Sequence, residues 1–392
     1  MSDLPNDFWA FPKKIAKFFI LQMVDGLSLR RPTTFKPKTL LLVRLDAIGD
    51  YVLFRNFLEF LRKSQKYQGH HLTLCGNIAW RNMAETYDAD FIDDFIWIDK
   101  RKFLRNFFYR WGVLKDIGLR GFEVAIHPTF SREYYFGDAI IKASGAQERI
   151  GNCGDLSNME SWQKKLADNY YTKLIKISDA NILEFYKNKE FFEKLLDQEI
   201  PITKPHIEVN KFPPKNLVTG KYALIFPGAR NERKRWATDK FAQIAEHLTS
   251  KYGLKMLVAG SDLEKKWAQQ IIAEAEKAEV QDLTGRTTLR EVTELISQAD
   301  IVVANDTFAA HVAVAVDTKI IYLLTGEHFG RFGPYPQDIT HKTYLVYPHE
   351  IMEKISADFD SLTEKYKYNS LLDVNQISVA EVIKLLDQAL AS

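Results

Sequence analysis

Two cysteines in 392 residues, Cys75 and Cys153, are too few for a disulfide framework, and they show no metal-ligand spacing. Both are expected to be reduced, structural thiols of a cytoplasmic protein. Histidines are unclustered. His70 and His71 are adjacent, and adjacent side chains diverge on a helix or a strand, so no histidine metal site is expected. An excess of charge of one sign is missing too. With 53 basic against 51 acidic side chains the net charge is +2, which removes any global electrostatic case for a nucleic-acid partner and leaves basic contacts to local clusters. Asp3 and Asp7 stand where a signal peptide would be positive, so none is expected. The segment from Phe8 to Leu29 is aromatic and aliphatic, but Lys13, Lys14 and Lys17 interrupt it, and its apolar part is too short to span a bilayer.

What is present is the composition of a soluble globular protein, 46% apolar and 27% charged, in a chain long enough for two domains. Residues 1–38 read as an amphipathic extension, either packed on the body or lying in a membrane interface with its lysines toward anionic lipid. The stretch Lys100 to Arg120 repeats that basic-aromatic character. From residue 39 strand and helix alternate in the manner of an open α/β sheet. TLLLV (39–43) is a buried strand, Tyr51 to Lys63 a helix, and His71–Leu74, Asp94–Ile98 and Phe122–His127 further strands. Residues 152–185 lack periodicity and are expected to be loops or short helices over a cleft. A helix from about Asn181 to Leu196 closes a first domain over 39–205. The proline-rich run across 201–216 marks a linker, bounded as 206–220. The alternation then restarts as a second domain over 221–375, and a helix in 376–392 could return to brace the first. Two doubly wound domains leave a cleft between their facing sheet edges.

The most informative stretch is Asp282 to His311, DLTGRTTLREVTELISQADIVVANDTFAAH. A β-branched strand, Ile301 to Ala304, stops in Asn305, Asp306 and Thr307 at the start of a helix. Unpaired backbone N–H groups there suit phosphate. Past the strand YALIFPG, which ends in Gly228, the residues Arg230, Arg233, Lys234 and Arg235 gather at the same kind of edge, where cations would neutralise a diphosphate leaving group. Trp236 reads as packing. Glu264 could be a first-turn helix acid or a hydroxyl acceptor. In RLDAIGD, Gly49 allows close backbone approach and Asp50 opens a helix, where an acid is either a cap or a proton acceptor facing the cleft.

The segments RLDAIGD, FPGARNERKRW, DLTGRTTLREVTELI and NDTFAAHVAVA, in this order across about 39–345, resemble the blocks of glycosyltransferase family nine, the family of the lipopolysaccharide heptosyltransferases. The resemblance implies the GT-B fold, two facing Rossmann-like domains, and metal-independent transfer of a sugar with inversion, without a cofactor. By this resemblance Asp50 matches the catalytic base and Lys234 the lysine on the donor phosphates. Glu264 falls near the donor-ribose acid, Asp306 holds the donor sugar, and Thr307, Phe308, Ala309, Ala310 and His311 surround the diphosphate. Leu283 and Gly285 fall at the nucleobase. HPTFSR and GAQERIG resemble intermediate blocks, and His127 and Arg132 are the expected acceptor-binding residues. The implied donor is ADP-heptose and the implied acceptor a lipopolysaccharide-type or other lipid-linked saccharide, reached from the inner face of the cytoplasmic membrane. Two departures, Phe308 in place of a small residue and Asn56 where proline is common, keep other readings open. These are a UDP- or dTDP-hexose donor and a non-catalytic homologue that binds sugar nucleotides. An epimerase of the same layout would not need the NDT block.

Overall fold

A computed structural model describes residues 10–28, 34–178, 181–209 and 218–391. Twelve strands form two six-stranded parallel sheets. The first contains β1 (Lys36–Arg44), β2 (His71–Asn77), β3 (Asp94–Ile98), β4 (Phe122–His127), β5 (Glu148–Asn152) and β6 (Lys173–Ile175) in the order β3-β2-β1-β4-β5-β6. The second contains β7 (Tyr222–Phe226), β8 (Lys255–Val258), β9 (Val280–Asp282), β10 (Ile301–Asn305), β11 (Ile320–Leu323) and β12 (Thr343–Val346) in the order β12-β11-β10-β7-β8-β9. Each order reverses beside its first strand, between β1 and β4 and between β7 and β10. Ligands of such sheets bind at that reversal, outside the carboxyl ends of the strands. The chain is therefore α/β with two Rossmann-like domains facing each other, the GT-B arrangement.

Alternation along the central strands sorts their side chains between two layers. Leu40 and Leu42 of β1 join Leu72, Ile126 and Phe57 in one core, while Leu41 and Val43 join Ala125, Ile117 and Ile140 in another. In the second sheet Leu224 and Phe226 of β7 face one way with Val302 and Tyr322, and Ala223 and Ile225 face the other with Val303 and Ile321. The first of these second-sheet layers belongs to the same apolar cluster as Leu40 and Leu42, so the two domains share a continuous core.

Three local readings change. Tyr51–Lys63 is not one helix but two, Ile48–Val52 and Phe57–Lys63, separated by tight turns. Arg55 and Asn56 lie at the break, where Arg55 bonds Asp88 and the carbonyl of His206, and Asn56 bonds the same carbonyl at 2.9 Å. Residues 152–185, expected as loops or short helices, do carry the short helix Ser161–Asp168 but also the edge strand β6, and ERIG opens β5. The C-terminal helix Val379–Ala391 does not brace the first domain. It buries Val382, Leu386 and Ala389 against Ala223 and Ile225, and Asp387 bonds His247, Lys251 and Tyr252 of the second domain at 2.8 Å each. Of the linker assigned to 206–220, residues 210–217 lie outside the described residues, as do Phe8, Trp9 and Leu29 of the extension.

Candidate active site

A cavity of about 840 Å³ opens between the domains. Ala47 to Asp50 line it from the first domain. The second contributes Phe226, the loop from Gly228 to Arg235, Gly260 to Glu264, the segment Asp306 to Phe308, His311, and a rim of Glu327, His328 and Phe332.

The donor-facing side follows from strand ends. Past β10, Asp306 leads into the helix Phe308–Ala315, whose N-cap is Thr307. The hydroxyl of Thr307 is buried and makes no hydrogen bond, although this residue lines the cavity. Past β7, Lys234 donates to Asp306 Oδ2 at 2.7 Å and lies 3.2 Å from Glu327 Oε2. Burial alone would lower the lysine's proton affinity, but the two carboxylates reverse that and raise it. Asp306 is held below the usual carboxylate range despite burial, by Lys234 and by the hydroxyl of Tyr322, which donates to Oδ1 at 2.8 Å. Lys234 therefore stays cationic and Asp306 anionic near neutral pH. Arg230 and Arg235 also line the cavity, and the Arg235 guanidinium lies 4.7 Å over the ring of Trp267 at the mouth. Trp236 is 2% exposed and donates to the carbonyl of Ile377, as packing requires.

Glu264 is a first-turn helix acid and lines the cavity as well. Its Oε2 accepts from the amide and hydroxyl of Ser261 at 2.5 Å, closing a capping box, while Oε1 lies where a Cβ on Gly228 would be only 2.7 Å away. Glycine at 228 is what lets this carboxylate stand against the strand end and line the cavity.

Asp50 stands across from these groups. It is the third residue of Ile48–Val52 and reaches back to the Ala47 amide at 3.3 Å, so it caps weakly and lines the cavity as well. Enclosure between the domains pushes its carboxyl up to about 7, reinforced by Asp46 and Glu184 and opposed by Arg44 and Arg331. Those neighbours form a buried chain. Arg44 donates to Asp46 at 2.9 Å and to Asn188 at 2.9 Å, and Glu184, 1% exposed, accepts from Arg331 at 2.9 Å. Arg331 belongs to the second domain and also donates to Ser131 of the first at 2.7 Å.

At Gly49 the two edges approach closely. A Cβ there would lie 2.6 Å from the His311 ring and 3.6 Å from the Phe308 backbone. His311 is buried, its Nδ1 paired with the Tyr335 hydroxyl, and burial lowers it to about 4, so the ring is neutral at pH 7. It supports the Asp50 turn and brings no charge to the cavity. Ala309 and Ala310 are fully buried inside the helix.

Two pairs of expected residues lie elsewhere. Leu283 is packed in the core and Gly285 sits against Asp262 on the neighbouring loop, and neither lines the cavity. His127 and Arg132 are corrected more strongly: they do not reach the cleft. His127, 2% exposed, pairs through Nδ1 with the Tyr171 hydroxyl at 2.8 Å, and Arg132, 1% exposed, is bound to Asp168 beside Asp138. An internal carboxylate, Asp138, draws both inward. Glu327 and Trp267, which line the cavity, and Arg331, which acts behind it through Glu184, are residues the sequence reading passed over. Glu327 was open to the argument used for Asp306, since it stands just past a buried apolar strand.

Residues 166–355 match the sequence profile of glycosyltransferase family 9 (heptosyltransferase). The match covers just under half of the chain. Among similar proteins, lipooligosaccharide heptosyltransferase 2 of Haemophilus influenzae is 29% identical over 140 residues, 32% of this chain and 40% of the relative. Lipopolysaccharide heptosyltransferase 2 of Salmonella typhimurium is 24% identical over 190 residues, 40% and 54% of the two chains. The matched stretches thus span about half or less of these relatives. A glycosyltransferase family 9 protein from Veillonella parvula superposes with a TM-score of 0.68 at 18% identity, covering 92% of this chain and 99% of the other. The E. coli heptosyltransferase WaaC with ADP gives a TM-score of 0.68 at 15% identity, covering 90% and 99%. At such identities these two structures speak for the fold.

Proposed function

We propose that this chain is a family 9 glycosyltransferase that moves a sugar from a nucleoside diphosphate donor to a saccharide hydroxyl with inversion and without a metal. One observation carries the reading. A single cavity places a carboxyl of raised proton affinity, Asp50, opposite a cationic strand end and a helix N-terminus whose cap hydroxyl is unpartnered. The donor diphosphate lies against the amides that follow Thr307, with Lys234 and Arg230 neutralising the charge that develops as it leaves. Asp50, poised near operating pH, takes the proton of the acceptor hydroxyl as its oxygen attacks the anomeric carbon from the opposite side. Asp306 and Glu264 accept from donor hydroxyls. The family 9 profile match and the ADP bound to the E. coli heptosyltransferase support ADP-heptose as donor and a lipopolysaccharide-type or other lipid-linked saccharide as acceptor, met at the inner face of the cytoplasmic membrane.

A second reading, a different nucleotide sugar, is favoured by Phe308. Its ring packs edge-on against Phe226 at 6.1 Å and fills space at the strand end. A thermal-shift panel of ADP, UDP, GDP, CDP and dTDP separates the two, because a nucleotide at about 100 times its Kd stabilises by about 2.7 kcal/mol. Selective stabilisation by ADP is the expected result and leads to turnover assays with ADP-heptose. Selectivity for UDP or dTDP reassigns the sugar, and binding without turnover leaves a non-catalytic homologue.

A further inference from the structure

The helix Ala10–Ser28 buries Leu21 and Val24 but is also apolar on its other face from Phe18 onward. Between Phe18 and Ser28 the one charged residue, Asp25, is 4% exposed, and its carboxylate accepts from Arg110 Nε at 2.5 Å and Nη2 at 2.8 Å. Arg110 is fully buried and donates also to the Tyr135 carbonyl at 2.7 Å, so this ion pair fastens the helix to Phe107–Arg120. The outward face is apolar instead. Phe19, Met23 and Leu27, one turn apart, are 64%, 61% and 68% exposed. Phe107–Arg120 repeats the pattern, with Phe108, 87% exposed, and the exposed Trp111 and Leu119 along one face while Leu114 and Ile117 are buried. A water-facing helix directs its apolar stripe inward and its charges outward, whereas between Phe18 and Ser28 apolar residues lie on both faces and the one charge is buried.

The charges near this face have one predominant sign. Arg101, Lys102 and Arg105 are exposed on the helix Lys100–Arg105, immediately before Phe107, and Lys115 lies 4.6 Å over the ring of Trp111. Acids nearby include Glu133, bound to Lys100 at 2.5 Å, Asp99, 3.7 Å from Lys102, and Asp116, bound to Arg120 at 3.0 Å. Strand β3 ends at Ile98, so the basic helix and Phe108 emerge at the carboxyl edge of the first sheet, the edge that bears Asp50.

We propose that this face docks on an anionic lipid bilayer, with Phe19, Met23, Leu27, Phe108 and Trp111 entering the headgroup region and the basic helix meeting lipid phosphates. A second copy of the chain is the competing occupant. A two-fold pairing would bring this face against its own equivalent, basic tip included, whereas lipid phosphate complements the tip. The inference deepens the reading of a lipid-linked acceptor, and its surface argument does not depend on the donor.

The test is co-sedimentation of the full chain with phosphatidylcholine vesicles, with and without phosphatidylglycerol. The wild type should bind the anionic vesicles in a salt-sensitive way. The variant F19S/M23S/L27S should lower the partition coefficient by about ten-fold or more, and R101E/R105E should do so for anionic vesicles alone. Phe108→Ser, on the separate helix, gives the same test should the triple variant fail to fold. The thermal shift with ADP should be unchanged in every folded variant, which separates loss of docking from loss of the donor site. Three results would overturn the proposal: no binding by the wild type, unchanged partition of the variants, or a micromolar dimer that Phe108→Ser converts to monomer.

Discussion

The two domains share one topology and use their strand ends in opposite ways. In the second, the residues past β7, β10 and β11, namely Lys234, Asp306 and Glu327, turn their charges toward the cavity and neutralise one another there. In the first, His127 at the end of β4 and Arg132 beyond it turn away from it and pair with Tyr171, Asp138 and Asp168 in the interior. The first domain reaches the cavity through the turn from Ala47 to Asp50. Position at a strand end therefore fixes the edge on which a side chain stands. Its hydrogen-bond partners decide whether the edge is used for binding or for holding the domain together.

This contrast can be broken by substitution. Asp50→Asn should cut turnover by about 10²–10⁴-fold, the usual contribution of a general base, while leaving the thermal shift with nucleotide intact. Turnover near that of the wild type would remove Asp50 from the chemistry. Arg132→Met should instead cost about 3–5 kcal/mol in urea denaturation, because it strands Asp138 beside His127, and the folded fraction should bind nucleotide normally. A stable variant with impaired acceptor use would return Arg132 to the cleft. Lys234→Met should weaken nucleotide binding by about ten- to a hundred-fold, measured by calorimetry, with little change in stability, since it leaves two carboxylates facing an open cavity.

The smallest effect concerns pH. The carboxyl of Asp50 is raised from 3.8 to about 7 in the folded chain, so the ionised base is lost as pH falls through 7 and kcat/KM should decline with it. The same shift means that the folded state holds the proton more tightly than the unfolded state between about 4 and 7. The wild type should lose stability as pH rises across that window. Asp50→Asn should then be the more stable protein at pH 8, by on the order of 1 kcal/mol after allowance for solvent reaching the carboxylate. Equal stability of the two at pH 8 would argue against the raised proton affinity.

Most of the fold was legible because buried parallel strands write themselves as apolar runs: Leu40–Val43 and Ile301–Ala304 are fully buried and could be little else. Strands β5, β6 and β9 were harder, being short and partly exposed, with polar residues that read as turn. The broken helix after Asp50 could not be read from periodicity, since its cause is the contact of Arg55 and Asn56 with residues far along the chain. At the site, Asp50, Lys234 and Asp306 were accessible to reasoning from strand ends. His127 and Arg132 satisfied the same rule and were misplaced, because their internal partner Asp138 lies on the next segment and the rule has no term for it. Arg331 was invisible: its meaning comes from Glu184, 147 positions away.

Gly49 resting on the ring of His311 has a consequence for how the edges keep their spacing. That contact contains no ion pair and, with the ring neutral, no charge to desolvate. It acts as a spacer whose thickness is set by the absence of a side chain. One added methyl would push the Asp50 turn off the helix that carries Thr307 by roughly the width of an atom, and displacements of about 1 Å are enough to spoil a hand-over between reacting groups. The gauge of the reacting gap is thus a missing carbon.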